Sequence, residues 1–591
     1  MKSTSDRVKN AIRAFLATWG ASRVTGIAAT NLITVFMFTF FLYIFARIVE
    51  RKRIEVEKPL QKSVEKILSI IFTLLYIGGD FEQIWSGLDN LLFRFIITLV
   101  TALGLYIIFE MAISIIIIET SKWKVAGTTW NQWFVPIASG FICFICWLPY
   151  LGKNYPGVMT IDSMNQFAQV IGVYADSNHH PWIHTQVMKF WYRVGLLFTD
   201  NKSVAISFYT IFQMIFLSFC VAYLIGTLSR YRLKKWILAV IVAFYACIPY
   251  NAIYAVTIWK DSMFAGGVLL YVATLLRLLQ WLKQKDSSAL KEHTKKTEVF
   301  SFIMLVLSGI MMCLFRTNGW YAFLVTVPFV LFIFRKYWKF IGSLQLLILV
   351  IVVIIKGPVM NANHVIQPDI VESLSIPVQQ LSRVIVLEKP ISEEQNTFLN
   401  NILDTSKIQD LYNPYVSDGF KRLVRAGNEA YLEAHFMEFL KVYVQIGLRY
   451  PVDYLIAFRD QSIGYWFPAQ EGIIAGDEGV IQNEFGVVNL PVLRGPMVIK
   501  INEIGLKLKD MIPGYGILWS MGALLWLILL SMGITLIRGN NKMLLLYVPC
   551  IAIFLTLVIA TPVAKEFRYA YAYIYCIPIY LLIPFIKDIK N

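Results

Sequence analysis

Long apolar runs, broken by short loops dense in lysine and arginine, limit what this chain can fold into more than any other feature. Leu344 to Ile355, Leu525 to Leu536 and Met543 to Ala560 belong to stretches that approach the roughly 20 residues a helix needs to cross a bilayer. Hydrophobic residues make up 57% of the chain, above the roughly 45–50% usual for soluble globular domains. The expected fold is therefore all-α, a polytopic transmembrane helical bundle. Met1 to Arg23 carries scattered basic residues and no apolar centre, so no cleavable signal peptide is expected.

A net charge of +16 would suit a nucleic-acid partner, but its placement argues against one. The basic residues gather at Arg47 to Lys66, Lys122 and Lys124, Arg230 to Lys235, Lys283 to Lys296, Arg335 to Lys339, Arg538 to Lys542 and Lys587 to Lys590. Short cytoplasmic loops of membrane proteins carry such an excess, and helices laid between these clusters alternate consistently with the C-terminus inside, giving about 13 spans. They fall near 27–47, 66–79, 92–118, 131–151, 204–228, 236–254, 263–282, 299–315, 320–334, 340–356, 514–537, 543–561 and 569–586. The second is short and leaves a re-entrant loop open. Alternation puts the N-terminus outside, against the charges of Lys2, Arg7, Lys9 and Arg13; an interfacial helix with Val8, Ile12, Phe15, Leu16 and Trp19 on one face eases the conflict. All seven cysteines lie in apolar spans and read as packing groups, since no ligand residues neighbour Cys143 and Cys146.

The chain divides into N-terminal membrane helices (1–130), a membrane core (131–356) with a first external loop (152–203), an external cap (357–513) and C-terminal membrane helices (514–591). The cap segment is rich in Asp and Glu and long enough for a domain. Helical patches at Phe420 to Glu433 and His435 to Arg449, with proline turns at Tyr412-Asn-Pro414 and Arg449-Tyr-Pro451, predict a mostly helical, loop-rich unit.

Three external turns break the charge rule: Trp259-Lys260-Asp261-Ser262, Phe315-Arg316-Thr317-Asn318-Gly319 and Lys565-Glu566-Phe567-Arg568-Tyr569. Either Lys260 clamps Asp261 and Lys565 clamps Glu566 as local ion pairs, or the cations share an anion. Three such turns on one face favour a phosphate or diphosphate, which arginine matches bidentately and lysine meets as a point charge. The first external loop adds Tyr155 to Gln166, followed by Asn178 to Thr185, which holds three of only six histidines. Asp162 is placed by the Pro156-Gly157 turn at the membrane boundary and is the candidate base for an attacking hydroxyl. Gln166 and His180 are candidate sugar or phosphate contacts. His180 and His184, four apart, could alternatively bind a divalent metal or simply begin a helix around Pro181. Asp176, Ser177 and Asn178 read as helix caps.

At these residues the sequence resembles the GT-C superfamily of integral-membrane glycosyltransferases, in its dolichyl-phosphate-mannose-transferase-like branch. Asp162 matches the acid of that family's first external loop, and His180-Pro181-Trp182-Ile183 matches its His-Pro-Pro-Leu-like element with the second proline replaced. The chain looks closest to a poorly characterised group of bacterial multi-pass proteins sharing Pro-Gly-x-x-x-x-Asp-Ser, Trp-Lys-Asp, Arg-x-Asn-Gly and Glu-Phe-Arg-Tyr. Here these are Pro156 to Ser163, Trp259 to Asp261, Arg316 to Gly319 and Glu566 to Tyr569, and the likeness continues at Glu372 to Gln380 and Tyr412 to Pro414.

The resemblance implies inverting transfer of a sugar from a polyprenyl-phosphate donor to a cell-envelope glycan, lipid or protein. The site would face outward from a bacterial cytoplasmic membrane, with no nucleic-acid partner. Asp162 would be the base and Asp261 an auxiliary acid standing in for the missing second carboxylate. Lys260, Arg316 and Arg568 would hold the donor phosphate, with Asn318 and Glu566 beside them. Because the paired-acid form of the motif is reduced to Asp162, a divalent cation, magnesium or manganese, stays an open cofactor. In the cap, Tyr465-Trp466 is a candidate sugar-stacking pair, and Gln380 and Arg383 are candidate contacts to acceptor or phosphate. The competing readings are a transporter or flippase of lipid-linked glycans and a glycan polymerase or ligase using lipid-diphosphate donors.

Overall fold

A computed structural model describes residues 4–54, 58–123, 125–127, 131, 133–286, 295–474, 479–560 and 562–586. Every extended element among them is a helix, and extended pairing is confined to isolated bridges. An apolar chain has no other local way to pair its backbone N–H and C=O groups away from water.

The first four helices, α1 (Thr4–Thr25), α2 (Leu32–Ile54), α3 (Pro59–Trp85) and α4 (Leu91–Ser121), pack together. The expected interfacial α1 is instead laid along α4. Gly20 meets Gly104 so closely that a Cβ on Gly104 would lie 2.2 Å from the Leu16 carbonyl. Ala14 and Ala17 are buried beside that contact, while Val8, Ile12 and Phe15 stay exposed. Small residues let helix backbones approach, so this face wins over the bulkier one. Arg13 donates to Glu110 at 2.6 Å, and Arg23 donates to the Ile84 and Ser86 carbonyls at the end of α3 at 2.8 and 2.7 Å. The Arg13–Glu110 and Gly20–Gly104 contacts make α1 and α4 antiparallel. Arg7 and Lys9 therefore lie toward the Lys122 end of the bundle, and the expectation of an N-terminus at the opposite end is corrected. Gly104→Val is expected to lower the melting temperature of the purified protein, while Gly505→Val, whose Cβ meets nothing within 4 Å, leaves it unchanged; equal melting of all three proteins would contradict this packing.

The second expected span belongs to a longer helix, Pro59–Trp85, of membrane length and kinked at Asp80, rather than to a short or re-entrant one. Its charged start misled the eye. Glu65 is buried, accepting from Gln61 and Ser114 at 2.9 Å each, so the helix continues through it.

The core follows with α5 (Phe134–Lys153), α6 (Ile161–Val170), α7 (Trp182–Leu196), α8 (Lys202–Leu228), α9 (Lys235–Cys247), α10 (Pro249–Val256), α11 (Lys260–Asp286), α12 (Lys295–Leu314), α13 (Thr317–Ile333) and α14 (Trp338–Ile354). The α11 helix is central and buried throughout its apolar length. The expected span at 236–254 is broken into α9 and α10 with a 53° bend, where Pro249 removes a backbone donor. Seven helices among the described residues are long and apolar enough to cross a membrane, or eight if this bent pair is one span. Shorter apolar helices at Leu32–Ile48, Glu298–Leu314, Thr317–Ile333 and Met521–Ile537 occupy further expected positions. A count of thirteen goes beyond those eight and rests on sequence patterning.

Between α14 and the C-terminal helices, short helices from Ile370 to Ser462 enclose a separate apolar core around Val371, Val384, Phe398, Phe420, Val424 and Phe439. Gln380 and Arg383 are used inside this unit. Gln380 donates to the Tyr454 carbonyl at 3.0 Å and accepts from the Tyr443 hydroxyl at 2.5 Å, and Arg383 faces Asp453 and Asp460 at 3.7 and 3.6 Å. Tyr465 is fully buried and its hydroxyl accepts from the Val563 amide, while Trp466 donates to Ser462 and lies against Gly78. This pair and the Gln380 and Arg383 side chains hold structure together instead of lining a sugar site.

Candidate functional site

The loop before α6 is pinned by its own backbone. Gly157 adopts φ +144°, and a Cβ there would lie 2.6 Å from Thr210 Oγ1, so the turn needs glycine. Val158 then pairs with the chain leading into α11: its amide donates to the Val256 carbonyl and its carbonyl accepts from Ile258, both at 2.9 Å. Ser163 Oγ donates to the Ile258 carbonyl, and Trp259 Nε1 donates to Thr160 Oγ1, each at 2.8 Å. These bonds set Asp162, in the first turn of α6, beside Lys260, the first residue of α11.

The three charge-rule exceptions converge with that loop. Asp162 Oδ2 accepts from Arg568 Nη1 at 2.7 Å and lies 3.6 Å from Lys260 Nζ. Lys260 Nζ donates to His180 Nδ1 at 2.7 Å. Arg316 Nη1 donates to Asp261 Oδ1 at 2.5 Å, and Arg568 Nε lies 3.6 Å from Glu566 Oε1. The guanidinium of Arg316 stacks 4.5 Å from the Tyr569 ring, and that of Arg568 lies 4.6 Å from Trp259. The adjacent-pair alternative fails for both lysines: Lys260 reaches Asp162, and Lys565 sits 4.5 Å over the Tyr415 ring in the cap. The helix carrying Arg568, Phe567–Tyr575, is itself anchored by Tyr571 donating to Asn251 Oδ1 at 3.0 Å and Tyr245 donating to the Tyr575 carbonyl at 2.7 Å.

Several polar atoms here are buried without a hydrogen-bond partner among the described residues: His180 Nε2, Asp261 Oδ2 and both Asn318 side-chain atoms. Leaving such groups unmade costs roughly 1–3 kcal/mol each. A ligand's oxygens or hydroxyls would satisfy them, which marks the cluster as a candidate binding site.

Two carboxylates are tuned in opposite directions. Burial would raise Asp162, but Lys260 and Arg568 outweigh it and hold its carboxyl well below the usual range. Burial dominates at Glu566 and pushes it up, with Arg568 opposing. His180 is held low by burial and by Lys260, so it stays neutral and accepts at Nδ1. Because Asp162 is depressed in the folded state, its contacts stabilise the fold above about pH 4 and are lost only as pH falls through its folded value. Lys260→Met is therefore expected to move the acid-unfolding midpoint to higher pH; an unchanged midpoint in an acid melt would show that Lys260 does not set the Asp162 ionisation.

The histidine spacing does not make a metal site. His180 turns to Lys260, whereas His184 is buried against the Tyr209 hydroxyl at 2.6 Å, and no group of three or more His, Cys, Asp or Glu side chains able to hold a metal occurs among the described residues. Asp261 faces Arg316 and not a second acid beside Asp162. Gln166 is buried and donates to Thr185 at 2.8 Å, tying α6 to α7, so it positions the loop from behind the site. Asp176, read as a cap, accepts from Trp182 Nε1 at 2.9 Å and Gln186 at 3.1 Å, which fixes the start of α7. Trp259, which the sequence places with other tryptophans and tyrosines near the expected membrane boundaries, and Tyr569 are the platforms for the two arginines; for Tyr569 the signal is its place inside the Glu-Phe-Arg-Tyr motif.

The fold and the cluster define an all-helical protein with multiple membrane-length apolar helices and a charged, partly buried cluster of side chains. Residues 175–590 match a family described as a family of unknown function (DUF6020), and the chain belongs to that family. The matched region takes in His180, Lys260, Asp261, Arg316, Asn318, Glu566 and Arg568, and begins after Asp162. No curated protein and no solved structure matches the chain.

Proposed function

We propose that this protein is a GT-C-like glycosyltransferase of about 13 spans, moving a sugar from a polyprenyl-phosphate donor to an envelope glycan, lipid or protein on the outer face of a bacterial cytoplasmic membrane. The observation that carries the reading is the convergence of Asp162 with Lys260 and Arg568, and of Asp261 with Arg316, from separate helix starts.

In the resting protein the cations are occupied by carboxylates. An incoming donor phosphate competes for Lys260 and Arg568, frees Asp162 and raises its basicity as its neutralising charges are shared. An acceptor hydroxyl oxygen then forms a bond to the anomeric carbon while the bond from that carbon to the phosphate oxygen breaks. The electron pair leaves on polyprenyl phosphate, whose charge Lys260, Arg568 and Arg316 stabilise, and the hydroxyl proton passes to Asp162. His180 Nε2 and Asn318 are free to bond sugar or acceptor oxygens. Among the described residues no group of three or more His, Cys, Asp or Glu side chains could hold a divalent cation, so no step is assigned to one.

The half-buried Arg13–Glu110 pair and the buried Glu65 in the first four helices are what favour the transporter or flippase reading. Arg13→Leu with Glu110→Leu separates the two: under the proposal, sugar transfer by the double variant stays within about threefold of the native protein at matched abundance, since removing a pair together avoids a stranded charge. Loss of all sugar movement together with accumulation of inward-facing lipid-linked glycan would favour transport.

A further inference from the structure

A cation outside this cluster, Lys356, has no carboxylate partner among the described residues. Lys356 is the sole Lys, Arg, Asp or Glu between Lys339 and Asp369, in the last turns of an otherwise apolar membrane-length helix. It sits in one widened turn, Ile355–Val359, where α14 passes into the next short helix. Pro358 cannot donate a backbone hydrogen bond, so the ladder resets to the wider spacing there. Such turns recur at functional sites because they re-aim side chains.

The Lys356 ammonium lies 5.4 Å from the ring of Trp320, and besides that ring its neighbour is the Cys313 thiol, so among the described residues it meets no carboxylate. Trp320 belongs to the first turns of α13, the helix that Arg316 caps. Around the pair, Tyr321, Val325, Val353 and Ile354 are exposed and apolar. On the other flank Trp182 at the start of α7 closes against Met360 and Val365. A lysine left without an anion at the rim between a lipid-facing seam and the start of α13 is costly unless something anionic meets it. A tryptophan beside it is suited to the level of lipid headgroups.

We infer that Lys356 and Trp320 form a docking point for a phosphate carried on a lipid, whose tail lies along the α13–α14 seam. This deepens the reading above, because it supplies a lateral approach for a lipid-linked donor, yet its chemistry is shared by bulk anionic phospholipid. The test uses the purified full-length protein in detergent with radiolabelled farnesyl phosphate as the probe, and dioleoylphosphatidylglycerol and inorganic phosphate as competitors. Lys356→Met is expected to weaken farnesyl phosphate binding by about tenfold or more, as for loss of one charge-assisted hydrogen bond, while Lys356→Arg retains it and melting of both is unchanged. Displacement by dioleoylphosphatidylglycerol at equal concentration would support the site and assign it to bulk phospholipid; failure of that lipid to compete would support it as a donor site. Binding by Lys356→Met equal to the native protein, or displacement by inorganic phosphate as effective as by the lipid, would overturn it. Lys356-dependent binding of the probe is read without any turnover. A native protein that shows Lys356-dependent binding but never transfers sugar would therefore sink the transferase reading and leave this one in place.

Discussion

Asp162→Asn is expected to fold, to insert normally and to lose sugar transfer by about 10²–10⁴-fold, the range a positioned general base supplies. The amide keeps the shape of the side chain but takes no proton, and it no longer neutralises Lys260 and Arg568. Donor binding should consequently be retained or strengthened, because both cations are released to phosphate. The diagnostic pattern is a fall in kcat with KM for the donor unchanged or lower, read from a steady-state series in proteoliposomes. A rise in KM with kcat preserved would make Asp162 a binding residue and remove it from the chemistry. Asp162→Glu, which keeps the charge but moves it, should restore measurable turnover.

The second large effect belongs to Arg316. Its partner Asp261 is 2% exposed, so Arg316→Met strands a carboxylate away from water. Breaking a buried pair in this way costs roughly 3–5 kcal/mol, and the purified variant should melt well below the native protein. Asp261→Leu combined with Arg316→Met removes both charges and should recover most of that stability without recovering activity. That split matters. A double variant that regains both stability and transfer would make the pair a structural clamp, whereas stability without transfer places Arg316 at the donor. Tyr569, 4.5 Å from the same guanidinium, should show a smaller effect when changed to leucine, since a cation–π contact is worth about 0.5–2 kcal/mol.

Much of this site could be read from residue order because charge at a membrane boundary is expensive. Lys260, Arg316 and Arg568 stood out as cations on turns where lysine and arginine should be scarce, and the structure gathers those turns with Asp162. Which acid meets which base was not legible. The Arg316–Asp261 and Arg568–Asp162 pairs join residues far apart in the chain, and only packing of α11, α13 and the Phe567–Tyr575 helix brings them together. Gln166 misled for the opposite reason: a polar residue one turn beyond the candidate base looks like a ligand, yet helical geometry carries it to the buried side, where Thr185 satisfies it.

The cap shows the same limit. Gln380, Arg383 and the Tyr465-Trp466 pair have side chains suited to sugars, but short helices that must build a core of their own use these groups to bind one another. At the N-terminus, the bulky face of α1 drew attention while its Ala14, Ala17 and Gly20 face made the contact. Apolar pattern reports what is hydrophobic; closeness of approach between helices depends on what is small.

The most direct test reconstitutes the purified full-length protein in liposomes containing radiolabelled polyprenyl-phosphate sugar extracted from bacterial membranes, with envelope material added outside. The account predicts label moving into the envelope fraction with matching release of unglycosylated polyprenyl phosphate, and none of this with Asp162→Asn. Label that crosses the bilayer still attached to its lipid, with no product in the envelope fraction from the native protein, would contradict it.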